Sequence, residues 1–317
     1  MRSVRPFTAA AVAGLLALVA APTARAASPT STLGVYAGGG APARVAAFER
    51  WNGGQRARFA LEFLPMERWR DIARPDWWAA RWRSSPQRMV FSVPLLPRRG
   101  ASLRRGATGA YDRTFASMAR TLVAHGQGRA ILRIGWEFNG DWFPWAASRA
   151  PGAFVTYWRH VVTAIRRVPG AHFLIDWTPN LGRSAIAPDR VYPGNRYVDV
   201  IGMDAYDMGW GAGWRDPATR WRALVDQPYG LAWQRAFAAA HGKPTSIPEW
   251  GMMFRYDGHG GGDDPYYVRQ MHDWIAGGHV LYHDYFEFDS DQGRHRMMDG
   301  EFPAGAAVFR RLFGRRR

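Results

Sequence analysis

Eight short runs rich in β-branched and aromatic residues alternate with longer stretches of helical periodicity, and this alternation constrains the fold more than any other feature of the chain. The runs are Leu33–Ala37, Phe59–Phe63, Met89–Leu95, Ala130–Trp136, His172–Trp177, Val198–Met203, Thr245–Pro248 and Val280–Phe286. Parallel strands need a crossover, and a helix supplies it while covering the sheet, so strand–helix alternation predicts βα units. Between the third and fourth runs, Tyr111, Phe115, Met118 and Leu122 recur at the spacing of one helix face, and Phe154, Trp158, Val161 and Ile165 repeat it after the fourth. A later helix should start at Pro265 behind Asp263 and Asp264 and stop at Gly277. Eight such units in 317 residues fit an α/β fold of the (β/α)8 TIM-barrel type, typically about 250 residues. An open doubly wound sheet is the competitor, but Gly38-Gly39-Gly40 lacks the G-x-G-x-x-G spacing of its usual phosphate turn.

The first 26 residues read as an export signal. Arg2 and Arg5 precede an apolar run from Ala9 to Ala21, and Ala24-Arg25-Ala26 offers small residues for cleavage near Ala26/Ala27. The run is shorter than the roughly 18–20 residues that span a bilayer, so a secreted or periplasmic protein with no membrane span after cleavage is expected. Residues 27–317 then form one barrel domain, expected to be a monomer. Absence of cysteine excludes disulfide frameworks and cysteine-based zinc sites. The formal charge of +16 stays strongly positive once the signal is removed and favours an acidic polymer as partner. Lys243 is the only lysine, so genome composition competes with a binding role as the source of the arginine excess. No nucleic-acid module accompanies the charge, and no nucleic-acid partner is expected.

In a barrel of this type, catalytic groups sit at strand ends on the C-terminal face. Two carboxylates occupy such positions: Glu137 behind the fourth run and Glu249 behind the seventh. Strand alternation would put Arg133, Gly135 and Glu137 on one face, with the arginine beneath the carboxylate. Two carboxylates across one mouth allow general-acid and nucleophile roles at a glycosidic bond, provided that one stays protonated and the other ionised. Trp136 and Trp250 are adjacent bulk that can raise a carboxylate pKa by desolvation.

Arg133-Ile-Gly-Trp-Glu-Phe-Asn-Gly-Asp-Trp-Phe-Pro-Trp145 resembles the acid/base motif of glycoside hydrolase family 26, retaining barrel enzymes that include β-mannanases. Leu174-Ile-Asp-Trp-Thr-Pro-Asn180 and the segment from Tyr192 to Tyr206 resemble its fifth and sixth strands, and the similarity runs through Gly251. The resemblance implies Glu137 as acid/base, Glu249 as nucleophile and Tyr206 as hydrogen-bond partner of the nucleophile. It also implies a polysaccharide substrate and no cofactor. One position departs: mannanases of the family usually carry histidine before the acid/base glutamate, and Trp136 stands there. Tryptophan can stack on a sugar but cannot replace the imidazole's hydrogen bonds, so the chemistry carries over further than the mannan specificity.

Around these carboxylates, Arg133, Trp136, Asn139, Trp142, Trp145, Trp177, Asn180, Asp204, Tyr206, Trp210 and Trp250 are the candidate substrate contacts. The tryptophans offer ring faces to sugars, with core packing as the competing role for Trp177. Trp214 joins Trp210 in a strand-end loop, and Asn180 and Asp204 either bind hydroxyls or cap helices. No metal site is expected. His279 and His283 are four apart on a strand, where that spacing does not converge, and Asp257, Asp263, Asp264, Asp289 and Asp291 lack the EF-hand pattern. The rival to an endo-acting β-glycosidase is a catalytically idle barrel that holds an acidic polysaccharide.

Overall fold

The computed structural model describes residues 28–315; the expected signal segment and its cleavage point lie outside the described residues. A strand coincides with or overlaps each of the eight expected runs: β1 Leu33–Tyr36, β2 Phe59–Phe63, β3 Arg88–Val93, β4 Ile131–Ile134, β5 Leu174–Trp177, β6 Val200–Ile201, β7 Thr245–Gly251 and β8 Val280–Phe286, the third starting one residue before its run and the seventh extending three residues beyond its own. Neighbours pair in parallel in chain order, and β8 pairs with both β7 and β1, which closes the sheet into a (β/α)8 barrel. A further two-residue strand, Ala205–Tyr206, lies against β7. Among the described residues, no helix is long and apolar enough to cross a membrane.

The helices follow the predicted periodicities. Helix Asp112–Ala124 buries Phe115, Met118 and Leu122, and helix Pro151–Arg166 buries Phe154, Trp158, Val161 and Ile165. The Asp264 carboxylate caps helix Pro265–Ala276 by accepting from the N–H groups of Tyr266 and Tyr267, and Gly277 closes the helix. Asp263 serves elsewhere, accepting from the N–H groups of Ala304 and Gly305.

Strand alternation separates two cores. Outward residues such as Met89, Phe91, Val93, Leu132 and Ile134 pack beneath the helices. Inward residues Phe59, Leu61, Val90, Ile131, Val200 and Tyr282 make an apolar plug inside the barrel. Beside the plug, inward positions turn polar. Ser92, Arg133 and Asp176 stand in register on β3, β4 and β5, and Asp176 accepts hydrogen bonds from Ser246, Tyr282 and Thr178.

The β1–β8 contact is tight at Gly34. A Cβ there would lie 1.8 Å from Asp284 Oδ1 and 2.8 Å from Phe59 Cβ. Gly34→Ala is therefore expected to destabilise the barrel by about 1–3 kcal/mol, read as a lower urea midpoint with unchanged slope. An unchanged midpoint would mean that β8 can move off β1.

Candidate active site

The fourth strand ends earlier than its apolar run suggests. Gly135 takes a φ of 49° and Glu137 a φ of 51°, so the backbone leaves β geometry after Ile134 and the expected shared face of Arg133, Gly135 and Glu137 does not form. A side chain at Gly135 would meet Leu95 Cδ1 at 2.5 Å, which requires glycine as the chain turns. Left-handed geometry at a non-glycine residue costs energy and is kept where surrounding bonds impose it. Here the Glu137 N–H donates to the Thr178 carbonyl at 2.8 Å and its own carbonyl accepts from the Gly140 N–H at 3.0 Å. The turn lifts the Glu137 carboxylate into a cleft, where Trp142 Nε1 donates to Oε2 at 2.9 Å.

Glu249 reaches the same cleft from β7. It is 7% exposed, with Oε1 accepting from Arg133 Nη1 and Oε2 accepting from the Tyr206 hydroxyl at 2.7 Å. The pairing of Ala205–Tyr206 with β7 sets that phenol beside Glu249. Burial and the charge of Glu249 push the Tyr206 pKa well above its ordinary value, so it remains a donor. Arg133 is fully buried and divides its guanidinium between Glu249, Asp204 and Ser92. The arginine thus serves the seventh-strand carboxylate, rather than lying beneath Glu137 as alternation suggested. For Glu137, burial and the nearby Glu249 charge raise the pKa to about 7, with Arg133 and the Trp142 N–H pulling it down.

The two glutamates line a cleft of about 340 Å³ together with Trp142, Asn180, Tyr206 and Trp210 from the expected set. Trp142 and Trp210 are about half exposed, at 51% and 56%. Other candidates lie elsewhere. Trp145, Trp177 and Trp250 are completely buried; the first two stack on Phe143 and Phe237, and the third packs at a tilt against Phe309. Trp136 is almost enclosed: its ring packs against Phe63 and Phe143 and lies 5.8 Å from the Arg133 guanidinium. Asn139 is buried and clamps the loop after β5, exchanging two 2.8 Å bonds with the backbone of Asn180. Arg133 and Asp204 are sealed beneath the cleft. Asp204 therefore neither meets a sugar nor caps a helix.

The remaining lining was not anticipated. Phe286 ends β8, and Met208, Met253, Arg255, Gln292 and His295 come from the segments after β6, β7 and β8, where Phe254–Arg255 pairs with Gly293–Arg294 as a small antiparallel ribbon. Burial lowers His295 to about 4, so it faces the cleft uncharged. Glu62, the penultimate residue of β2, was also missed, although its place within the second run was visible. It is fully buried and accepts from the N–H groups of Gly40 and Phe63 and from Trp82 Nε1. Burial pushes it up to about 7 against those donors. His283 is buried between Pro29 and Trp250, and among the described residues no group of three or more histidine or acidic side chains is placed to hold a metal ion.

With this geometry in place, comparison with known proteins is informative. Residues 114–242 match the family model of glycosyl hydrolase family 26. The matched stretch contains Arg133, Glu137, Asp204 and Tyr206 and ends just before Glu249. Endoglucanase H of Acetivibrio thermocellus is 28% identical over 151 residues, which cover 45% of this chain and 16% of that protein. A mannan endo-1,4-beta-mannosidase of Bifidobacterium adolescentis is 28% identical over 145 residues, covering 43% and 14%. The chain thus matches under a fifth of the length of either relative. A modular endo-beta-1,4-mannanase from Cellulomonas fimi superposes with a TM-score of 0.60 at 17% identity, over 89% of this chain and 75% of that one. The family 26 likeness is therefore one of local sequence from β4 to β6 and of barrel fold.

Two outcomes follow from the bonding. Trp142→Phe removes a donor that lowers the Glu137 pKa, so the pKa should rise by roughly 0.5 pH unit, measurable by carboxyl NMR titration. Arg133→Met strands two buried carboxylates and should destabilise the fold by about 3–5 kcal/mol; an unchanged unfolding midpoint would mean that neither depends on the guanidinium.

Proposed function

We propose that the protein is an exported retaining glycoside hydrolase that cleaves an uncharged β-linked polysaccharide internally. The observation that carries this reading is the contrast between two carboxylates in one cleft. Glu137 is held near neutrality by burial and by its neighbour, whereas Glu249 meets a guanidinium and a phenol. Such divergence assigns acid and nucleophile. Protonated Glu137 donates to the glycosidic oxygen as that bond to the anomeric carbon breaks, while Glu249 bonds to the carbon. The resulting glycosyl ester is then attacked by water whose proton passes to Glu137, which frees the sugar and restores the protonated Glu137 and the Glu249 carboxylate. Arg133 and Tyr206 fix the attacking oxygens. Trp142, adjacent to the acid, offers a ring face to the leaving sugar.

Cleft charge supports a neutral substrate. Glu137, Glu249 and Asp291 face it with Arg255 as the one cationic side chain in the lining, and Asp257 and Gln292 already engage that guanidinium. The lining thus offers an acidic chain no unengaged cation. The names of the relatives direct the first assays to mannan and β-glucan.

Reducing ends released from mannan, glucomannan, mixed-linkage β-glucan, β-1,3-xylan and an acidic exopolysaccharide test the proposal. A neutral polymer should be cut, with kcat/KM falling above about pH 7 as Glu137 loses its proton. Glu137→Ala should lower turnover of polysaccharide by roughly 10²–10⁴-fold yet spare aryl glycosides with good leaving groups. Glu249→Ala should be inactive on both. Binding without turnover across the panel would return the protein to the idle glycan-binding barrel.

A further inference from the structure

The positive excess of the chain is not spent in the cleft, and one part of it gathers on the outer wall of the barrel. A groove of about 240 Å³ runs between helices Asp112–Ala124 and Pro151–Arg166. Arg113 and Arg120 lie seven residues apart on the first helix, hence on one face, and Arg167 follows the end of the second. All three are exposed and line the groove. Among the described residues, none of the three guanidinium groups has an ion-pair or hydrogen-bond partner, whereas neighbouring Arg166 is paired with Asp199. The acid in the lining, Asp112, is engaged by His160 at 3.1 Å. Between the arginines the floor is aliphatic: Ala116, Ala164, Val168 and Pro169.

We propose that this groove is a second glycan site, separate from the cleft, which takes a carboxylate-bearing polysaccharide and tethers the protein to it. Guanidinium groups match carboxylates through paired N–H donors, and an aliphatic floor accepts the apolar face of a sugar ring. No aromatic side chain lines the groove, so the base stacking that holds single-stranded nucleic acid has no platform there. The division of labour is electrostatic. A cleft facing three acids suits the neutral glycan, and the outer groove suits an acidic one that accompanies it. Only the partner's role as a neighbour of the substrate rests on the proposed hydrolase activity; the binding itself does not.

The test is affinity electrophoresis of the mature protein in native gels containing polygalacturonate. The wild type should be retarded, less so as salt rises. A variant combining Arg113→Ala, Arg120→Ala and Arg167→Ala should bind on the order of tenfold more weakly, with unchanged thermal unfolding and unchanged cleavage of soluble neutral glycan. A second variant, Arg310→Ala with Arg311→Ala and Arg315→Ala, removes the same charge elsewhere and should be retarded like the wild type. Absence of retardation in the wild type would overturn the proposal, as would equal weakening in both variants, which would reduce the effect to net charge. Stronger competition by oligo-dT or polyphosphate than by polygalacturonate would also overturn it, in favour of a phosphate polymer. Loss of hydrolysis across the substrate panel with groove binding intact would refute the hydrolase reading and leave this one standing.

Discussion

The buried guanidinium of Arg133 is the interaction on which the site depends. It comes from β4, bonds to Ser92 on β3, to Asp204 after β6 and to Glu249 on β7, and packs against the ring of Trp136. Removing such a charge from water costs several kcal/mol unless carboxylates compensate it. Compensation here comes from two of them, one sealed and one open to the cleft. Four segments of the barrel are thereby tied to one planar group, and the direction of the Glu249 carboxylate follows from its geometry. A lysine could not reproduce this, because a single ammonium lacks the fork that addresses three partners at fixed angles.

The rest of the barrel interior preserves that pairing. Asp284 and Asp176 are also buried near Arg133, and burial raises both above the ordinary carboxylate range, Asp284 most strongly. Neither carboxylate oxygen of Asp284 has a hydrogen-bond partner among the described residues, so its neutral form is the stable one, and it does not compete for the arginine's charge. Glu137 shares this bias toward the neutral form for a different reason. Its turn places it over the low-dielectric interior beside Glu249, with only an indole N–H as a direct side-chain donor. Two glutamates in one cleft thus differ in their partners, an indole N–H for Glu137 and a guanidinium and a phenol for Glu249.

Much of this was legible in the sequence. All eight strands coincide with or overlap their apolar runs, because the period-2 pattern of β-branched residues and the 3.6-residue pattern of the helices are local signals. Glu137 and Glu249 were found by the same counting, since strand ends define the mouth. The tryptophans were not separable this way. Trp142 and Trp145 occupy one loop, yet the first is half exposed and donates to Glu137, while the second is completely buried and donates to the Trp136 carbonyl. Loop composition carries no periodicity from which a facing can be read; the φ values of Gly135 and Glu137 decide it. Arg255, Gln292 and His295 were invisible for a related reason, because a two-residue ribbon between distant loops brings them to the cleft.

By itself, then, the sequence determined the number and order of the strands, the helices that cover them and the two carboxylates at the ends of β4 and β7. These are properties of neighbouring residues, written in spacing. Tertiary structure decided which carboxylate meets the guanidinium, which is pushed toward neutrality, which tryptophans face the cleft and where the arginines gather. Arg133 and Glu249 stand 116 residues apart, and no local pattern encodes their contact. Burial and electrostatic environment are sums over everything that folding brings near, and those sums exist only once the barrel has closed.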